Sequence, residues 1–295
     1  MKKDYKRWTK LPYAGESSPP SNPEEPLANS WKLFFFKLRK DGKLMTPDGK
    51  KATLTIRHPK KIDWNQELEV VQQTLANVTS SETQIAKYWG TGAPTKQFTP
   101  IIDRLIDTYS VPAAKAARIL ACIHAAINDT LVITWYYKFK WMVARPNQLD
   151  AELETILCTP RHPSYPAGHG TVAGCCEEML SYFFPAEKEQ LHKLAEECAG
   201  SRLYAGVHFP SDNTEGLELG RQIGKLIIKQ LKKQKNSKHD LIDTPYSNNL
   251  HAELMPPPYD QVIPFNFQTK CQSRVKSDAS LSPQDEDKTH KIDEE

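Results

Sequence analysis

A chain of 295 residues, 39% hydrophobic and 25% charged, is long enough to bury one large core or two modest ones. Its 39 basic and 36 acidic residues leave a net charge of +3, so no overall field marks it for nucleic acid or a membrane surface, and any electrostatic function is local. No uninterrupted apolar run reaches the roughly 18 residues of a membrane span; the most apolar stretch, 113–141, is broken by Lys115, Arg118, Asn128 and Asp129.

The opening MKKDYKRWTKLPYAGESSPP has the charges of a secretory signal but no apolar segment behind them, and the expectation is a cytoplasmic protein. Residues 1–29, rich in Pro, Ser, Glu and Lys, read as a loose arm. WKLFFFKL and KATLTI are β-prone, with the turn dipeptides Asp41-Gly42 and Asp48-Gly49 between them, and predict a small hairpin-like element that completes an N-terminal segment 1–59. Helical periodicity follows. Trp64, Leu68, Val71 and Leu75 share one face of a helix over 64–78. A short amphipathic helix over 98–109 stops before Pro112, and 113–140 is alanine-rich and apolar on most sides, as in a central buried helix. Arg145 precedes Pro146 and is pushed out of helical geometry. Further helices are expected over 169–184, 186–204 and 213–233.

The fold class is therefore all-α, a helical domain over 60–235 followed by a tail, 236–295, expected to be extended and then disordered. Pro256-Pro257-Pro258-Tyr259 fits a proline-rich ligand pattern but reads better as a stiff linker, and Lys232 to Lys238 as the solvated end of the last helix. The six cysteines, Cys122, Cys158, Cys175, Cys176, Cys198 and Cys271, lack metal-type spacing and read as free thiols filling apolar space.

Three segments carry chemistry. WYYKFKWMVARP supplies Lys138 and Arg145, RHPSYPAGHG ends in Gly168-His169, and SRLYAGVHFPSD supplies Arg202, His208 and Asp212. Three cations in apolar helical surroundings need partners, and the only acid inside these segments is Asp212, so an external anion is the natural counterpart. Arginine offers a planar fork to a tetrahedral oxyanion and lysine a point charge. Gly168 at a helix start allows close backbone approach and presents N–H groups to negative charge. His208 and Asp212, four apart, share a face if that stretch is helical, and the carboxylate then fixes the imidazole tautomer. Each segment alone is more often a surface charge or a turn; the case rests on their conjunction.

That conjunction, Kx6RP, then PxGH, then SRx5Hx3D, resembles the signature of the superfamily of type 2 phosphatidic acid phosphatases and vanadium haloperoxidases, over residues 110–230. The resemblance implies a helical bundle in which Lys138, Arg145, Arg202 and the backbone of Gly168 hold the oxygens of vanadate or phosphate. It assigns His169 as acid/base, His208 as the residue bonded to the central atom, and Asp212 as the group orienting His208, with Trp135, His162 and Ala167 in supporting positions. His162, Trp135 and GVHFPSDNTEGLELG are similar to haloperoxidases, His162 to the bromoperoxidase type. Where the family usually carries PSGH this chain has Ala167, one hydroxyl fewer, a donor worth about 1.5–3 kcal/mol to a charged group. Asp129 lies upstream of Lys138 on the same helix with no partner assigned.

The implied function is a vanadate-dependent haloperoxidase acting on hydrogen peroxide and halide. The alternatives are a cofactor-free phosphatase, with His208 as nucleophile toward a phosphate ester, and a protein that binds phosphate or vanadate without turnover.

Overall fold

The computed structural model describes residues 4–39, 41, 43–255, 259, 261 and 271–276; Gly42, Pro256 to Pro258 and the end of the tail lie outside the described residues. Eight α-helices are present among them: α1 Trp64–Ala76, α2 Ser80–Gly90, α3 Thr95–Thr108, α4 Ala113–Trp141, α5 Pro146–Leu149, α6 Gly168–Phe183, α7 Lys188–Tyr204 and α8 Pro210–Leu231. The N-terminal element is a three-stranded antiparallel sheet of two-residue strands, β1 Lys37–Leu38, β2 Leu44–Met45 and β3 Lys51–Ala52, with Lys37 opposite Met45 and Leu44 opposite Ala52.

Local signals mark several helix ends. Thr79 opens α2 with a capping box, accepting from the Glu82 N–H while the Glu82 carboxylate accepts from the Thr79 N–H. That helix, like the single turn of α5, was not anticipated from periodicity. Met142 ends α4 in left-handed geometry (φ 54°), returning its N–H to the Lys138 carbonyl at 2.8 Å. α8 starts at Pro210, three residues earlier than expected, because proline suits the first helical position.

The core is built where α6 lies against α7, α8 and α4. Glycines set the α6–α8 distance: a Cβ on Gly174 would fall 2.1 Å from the Leu217 carbonyl oxygen, and one on Gly220 2.0 Å from that of Thr171. The backbones therefore touch, which brings the N-terminal ends of both helices to one place. Cys122, Cys175, Cys176 and Cys198 are buried free thiols, as expected of apolar fillers.

Two expectations are corrected. The arm is not loose: Trp8 and Tyr13 are 1% exposed, the Trp8 N–H donates to Met142 at 2.7 Å, and the Ala144 N–H donates to Lys6 at 3.0 Å. Aromatic residues scattered through a polar stretch outweighed its composition, because each buried one contributes roughly 1.5–3 kcal/mol. The thiols are not all free either: Cys158 and Cys271 form a disulfide across a separation of 113 residues. The tail from Cys271 to Lys276 is held beside it, with Ser273 buried, a bridge between Thr155 and Val275, and Arg274 donating to Ala14.

α4 passes a test of length and hydropathy for crossing a membrane, with half of that stretch buried inside the protein. Its breaks are part of the fold. Asp129 is fully buried and accepts from the N–H groups of Phe34 and Phe35 at 2.8 and 2.7 Å, which supplies the partner left unassigned in the sequence.

Candidate active site

Lys138 projects from the last turn of α4, Arg145 from the extended residue before α5, and Arg202 from the end of α7. All three are buried. Lys138 Nζ donates to the carbonyls of Pro163 and Ser164, both at 2.7 Å, and Arg145 donates to those of His162 and Val207 at 2.9 and 2.7 Å. Carbonyl oxygens position a cation without cancelling its charge, so burial still pushes all three pKa values down, that of Arg202 to about 10. Arg202 is the least satisfied: its Nε and one terminal nitrogen are buried without a partner among the described residues.

His208 and Asp212 do meet, though not across a helix face. His208 lies in the turn before α8, and Asp212 is the third residue of that helix. One carboxylate oxygen, Oδ2, lies 2.9 Å from His208 Nδ1 and accepts the Phe209 N–H at 3.0 Å. The Ser164 hydroxyl donates to the same oxygen, and its Oγ is 3.3 Å from His208 Nδ1. This arrangement selects the tautomer protonated at Nδ1 and leaves the Nε2 lone pair for a ligand, with Arg145 3.3 Å from it. Burial pushes the Asp212 carboxyl up to about 6, against the Ser164 and Phe209 hydrogen bonds and the Lys138 and Arg145 charges, which favour the carboxylate. Burial, then Arg145 and Lys138, hold His208 well below the usual imidazole range. Ser164 was missed in the sequence although it lies inside the segment RHPSYPAGHG; a hydroxyl has no spacing signature of its own.

α6 contributes from the opposite side. Gly168 opens it, with its backbone at the cavity, and His169 follows with Nε2 buried and unpartnered. Burial and Arg202 keep that imidazole neutral. Ala167 is the N-cap, fully buried, with no side-chain cap; its N–H donates to the Asp212 carbonyl at 2.9 Å. His162 lies 3.0 Å from Arg145 through Nδ1 and packs on Trp135, ring centroids 4.9 Å apart. Lys138 Nζ sits 5.9 Å from the Trp135 ring centroid. Gly90, at the end of α2, is needed for close approach: a Cβ there would come within 2.6 Å of the Arg202 guanidinium.

Three buried cations with one buried carboxylate beside them, unpaired donors on Arg202, and two neutral imidazoles suit a tetrahedral or trigonal oxyanion better than a bare metal cation, which would need several anionic ligands. Vanadate fits this donor set.

Comparisons with known proteins bear on the fold. Residues 185–237 match the family model of the VCPO second helical-bundle domain. The vanadium-dependent bromoperoxidases of Corallina pilulifera and Corallina officinalis are 33% and 31% identical to the chain over 24% of its length, and the chain spans about a sixth of theirs, 17% in each case. Among solved structures, a bacterial vanadium-dependent iodoperoxidase superposes with a TM-score of 0.61 at 20% identity, covering 76% of this chain and 60% of that one. A holo-type bacterial vanadium-dependent chloroperoxidase gives 0.56 at 16% identity with the same coverage. These structural likenesses show the shared fold. The chain thus shares the vanadium haloperoxidase fold, and over part of its length it is similar in sequence to vanadium-dependent bromoperoxidases and to the VCPO second helical-bundle domain.

Proposed function

We propose that the chain is a haloperoxidase-type enzyme in which His208 Nε2 holds vanadate, acting on hydrogen peroxide and a halide. The observation that carries this reading is the His208 imidazole, fixed through Nδ1 by Asp212 and aimed into a pocket where the Arg202 Nε and one terminal nitrogen, and His169 Nε2, lack partners among the described residues. Lys138, Arg145, Arg202 and the Gly168 N–H would hold the oxygens of the oxyanion. Bound vanadate supplies a Lewis-acidic centre that activates peroxide toward halide oxidation. The protein's own part is to neutralise the oxyanion charge, keep His208 unprotonated at Nε2, and exchange a proton with the substrate at His169 Nε2. His162 and Trp135, packed together against Arg145 and Lys138, support the haloperoxidase branch, because they add an aromatic wall beside the oxyanion site.

The same His208 Nε2, unprotonated and facing the cavity with Arg145 3.3 Å away, could act as a nucleophile, which favours a phosphatase as the second reading. There His208 would attack phosphorus, and His169 would protonate the departing oxygen. Metal-free protein assayed for bromination with added vanadate and peroxide, and separately for p-nitrophenyl phosphate hydrolysis, separates the two. Halogenation that stays absent under all conditions rejects the first reading, and hydrolysis inhibited by vanadate supports the second. His208→Ala abolishes whichever activity is present. Vanadate binding with neither activity assigns a binding protein.

A further inference from the structure

The cavity in front of His208 and His169 measures about 490 Å³, a size that encloses an organic molecule rather than a single oxyanion. Arg202, Gly168, His169 and His208 line its inner end, and its other walls are largely apolar: Leu131, Val132 and Trp135 of α4, Leu157, and Pro94 before α3. The remaining wall comes from the N-terminal arm, where Glu24, Glu25, Ala28 and Trp31 reach the cavity.

That arm is fixed in place. Phe34 and Phe35 donate to Asp129 of α4, the Trp135 indole N–H donates to the Glu24 carbonyl at 3.3 Å, and the Glu24 N–H donates to the Arg161 carbonyl at 2.7 Å. Glu25 is held at φ 43°, a left-handed conformation that a residue with a side chain adopts at a cost. Trp31 is 51% exposed beside the opening, an apolar surface with little covering it. Glu24 and Glu25 are both exposed. The cavity thus changes character along its depth, from cationic at the bottom, through apolar walls, to two carboxylates at the mouth.

We propose that the outer cavity is an organic-substrate site for an aromatic molecule carrying a basic group. This rests on the inner pocket being the reacting centre. Arg202, the cation that lines the inner end, and the apolar walls disfavour a charged ammonium there, while the exposed carboxylates of Glu24 and Glu25 attract it. The molecule is therefore oriented with its ring inward, toward the oxyanion, and its cation at Glu24 and Glu25, where the face of Trp31 adds a cation–π contact. A neutral aromatic of the same shape binds through the walls alone.

Calorimetry with tryptamine and its neutral isostere tryptophol, each titrated into full-length protein with vanadate present, tests this. Tryptamine is expected to bind about tenfold tighter than tryptophol, a difference of ~1.4 kcal/mol. The Glu24→Gln/Glu25→Gln double variant should bring tryptamine down to the tryptophol affinity and leave tryptophol unchanged, and Trp31→Ala should weaken both. Equal affinities in the unaltered protein, a preference that survives the double variant, or no binding of either indole overturns the proposal. Vanadium NMR on the same samples reads the inner pocket independently. Protein that binds vanadate but neither indole loses this site and keeps the oxyanion reading; protein that binds tryptamine as stated but no vanadate does the reverse.

Discussion

Asp212 illustrates how much one buried oxygen is made to do. Its Oδ2 gathers the Ser164 hydroxyl, the His208 ring and the Phe209 N–H, so that a single acceptor ties two segments to the start of α8. Replacing it with Asn keeps the shape but removes the charge that holds the Nδ1 proton. Asp212→Asn is expected to weaken vanadate affinity by about 10–100-fold, as loss of such an orienting partner typically does, read by equilibrium dialysis. The histidines make a second prediction at this scale. Burial holds His162, His169 and His208 well below the usual imidazole range, so the unfolded chain takes up their protons first as pH falls below about 6.5. The unfolded state then binds more protons, and stability drops with pH in that window. Asp212, raised to about 6, works the other way between that value and its ordinary range, because the folded chain takes its proton first, and it offsets one histidine there. The net expected slope is roughly 3 kcal/mol per pH unit between pH 6 and 5, at about 1.4 per group. Urea denaturation at both pH values measures it, and a slope of zero or of opposite sign contradicts the buried neutral state.

At the scale of elements, the spacing between α6 and α8 decides whether the site exists. Gly174 and Gly220 allow backbone contact, which aligns the Gly168–His169 end of α6 with the His208–Asp212 end of α8. Gly220→Ala puts a methyl group against the Thr171 carbonyl, and a destabilisation of about 2–3 kcal/mol is expected. The accompanying fall in oxyanion affinity should exceed that of a surface glycine such as Gly200, where a Cβ meets nothing within 4 Å. A Gly220→Ala protein with unaltered stability and affinity contradicts this role. Gly220 was visible in the sequence within GVHFPSDNTEGLELG, a spacing similar to haloperoxidases, and Gly174 was not; the reason for both, two backbones in contact, depends on which helices become neighbours. The helices themselves were legible because apolar periodicity and proline punctuation are local signals. α2 was overlooked despite Thr79 and Glu82, which are a local start signal, because its apolar residues are few.

For the whole molecule, the concentration of positive charge predicts a response to anions. A ligand that binds only the folded chain stabilises it by about 2.7 kcal/mol at a hundred times its dissociation constant. Phosphate or vanadate at such excess should raise the melting temperature by several degrees, at about 2–4 °C per kcal/mol, whereas chloride at matched ionic strength should not. Absence of a shift in calorimetry would remove the oxyanion pocket from the account. The sequence by itself determined the all-α class, most helix boundaries and the identity of the cationic and imidazole groups, because each is written in local spacing. Only the tertiary structure decided that the N-terminal arm walls the cavity, that Asp129 anchors it, that Ser164 joins His208 and Asp212, and that Cys158 pairs with Cys271. Those contacts join residues 44 to 113 positions apart, and no local pattern encodes which distant segments will be brought together once the glycine-lined helices close.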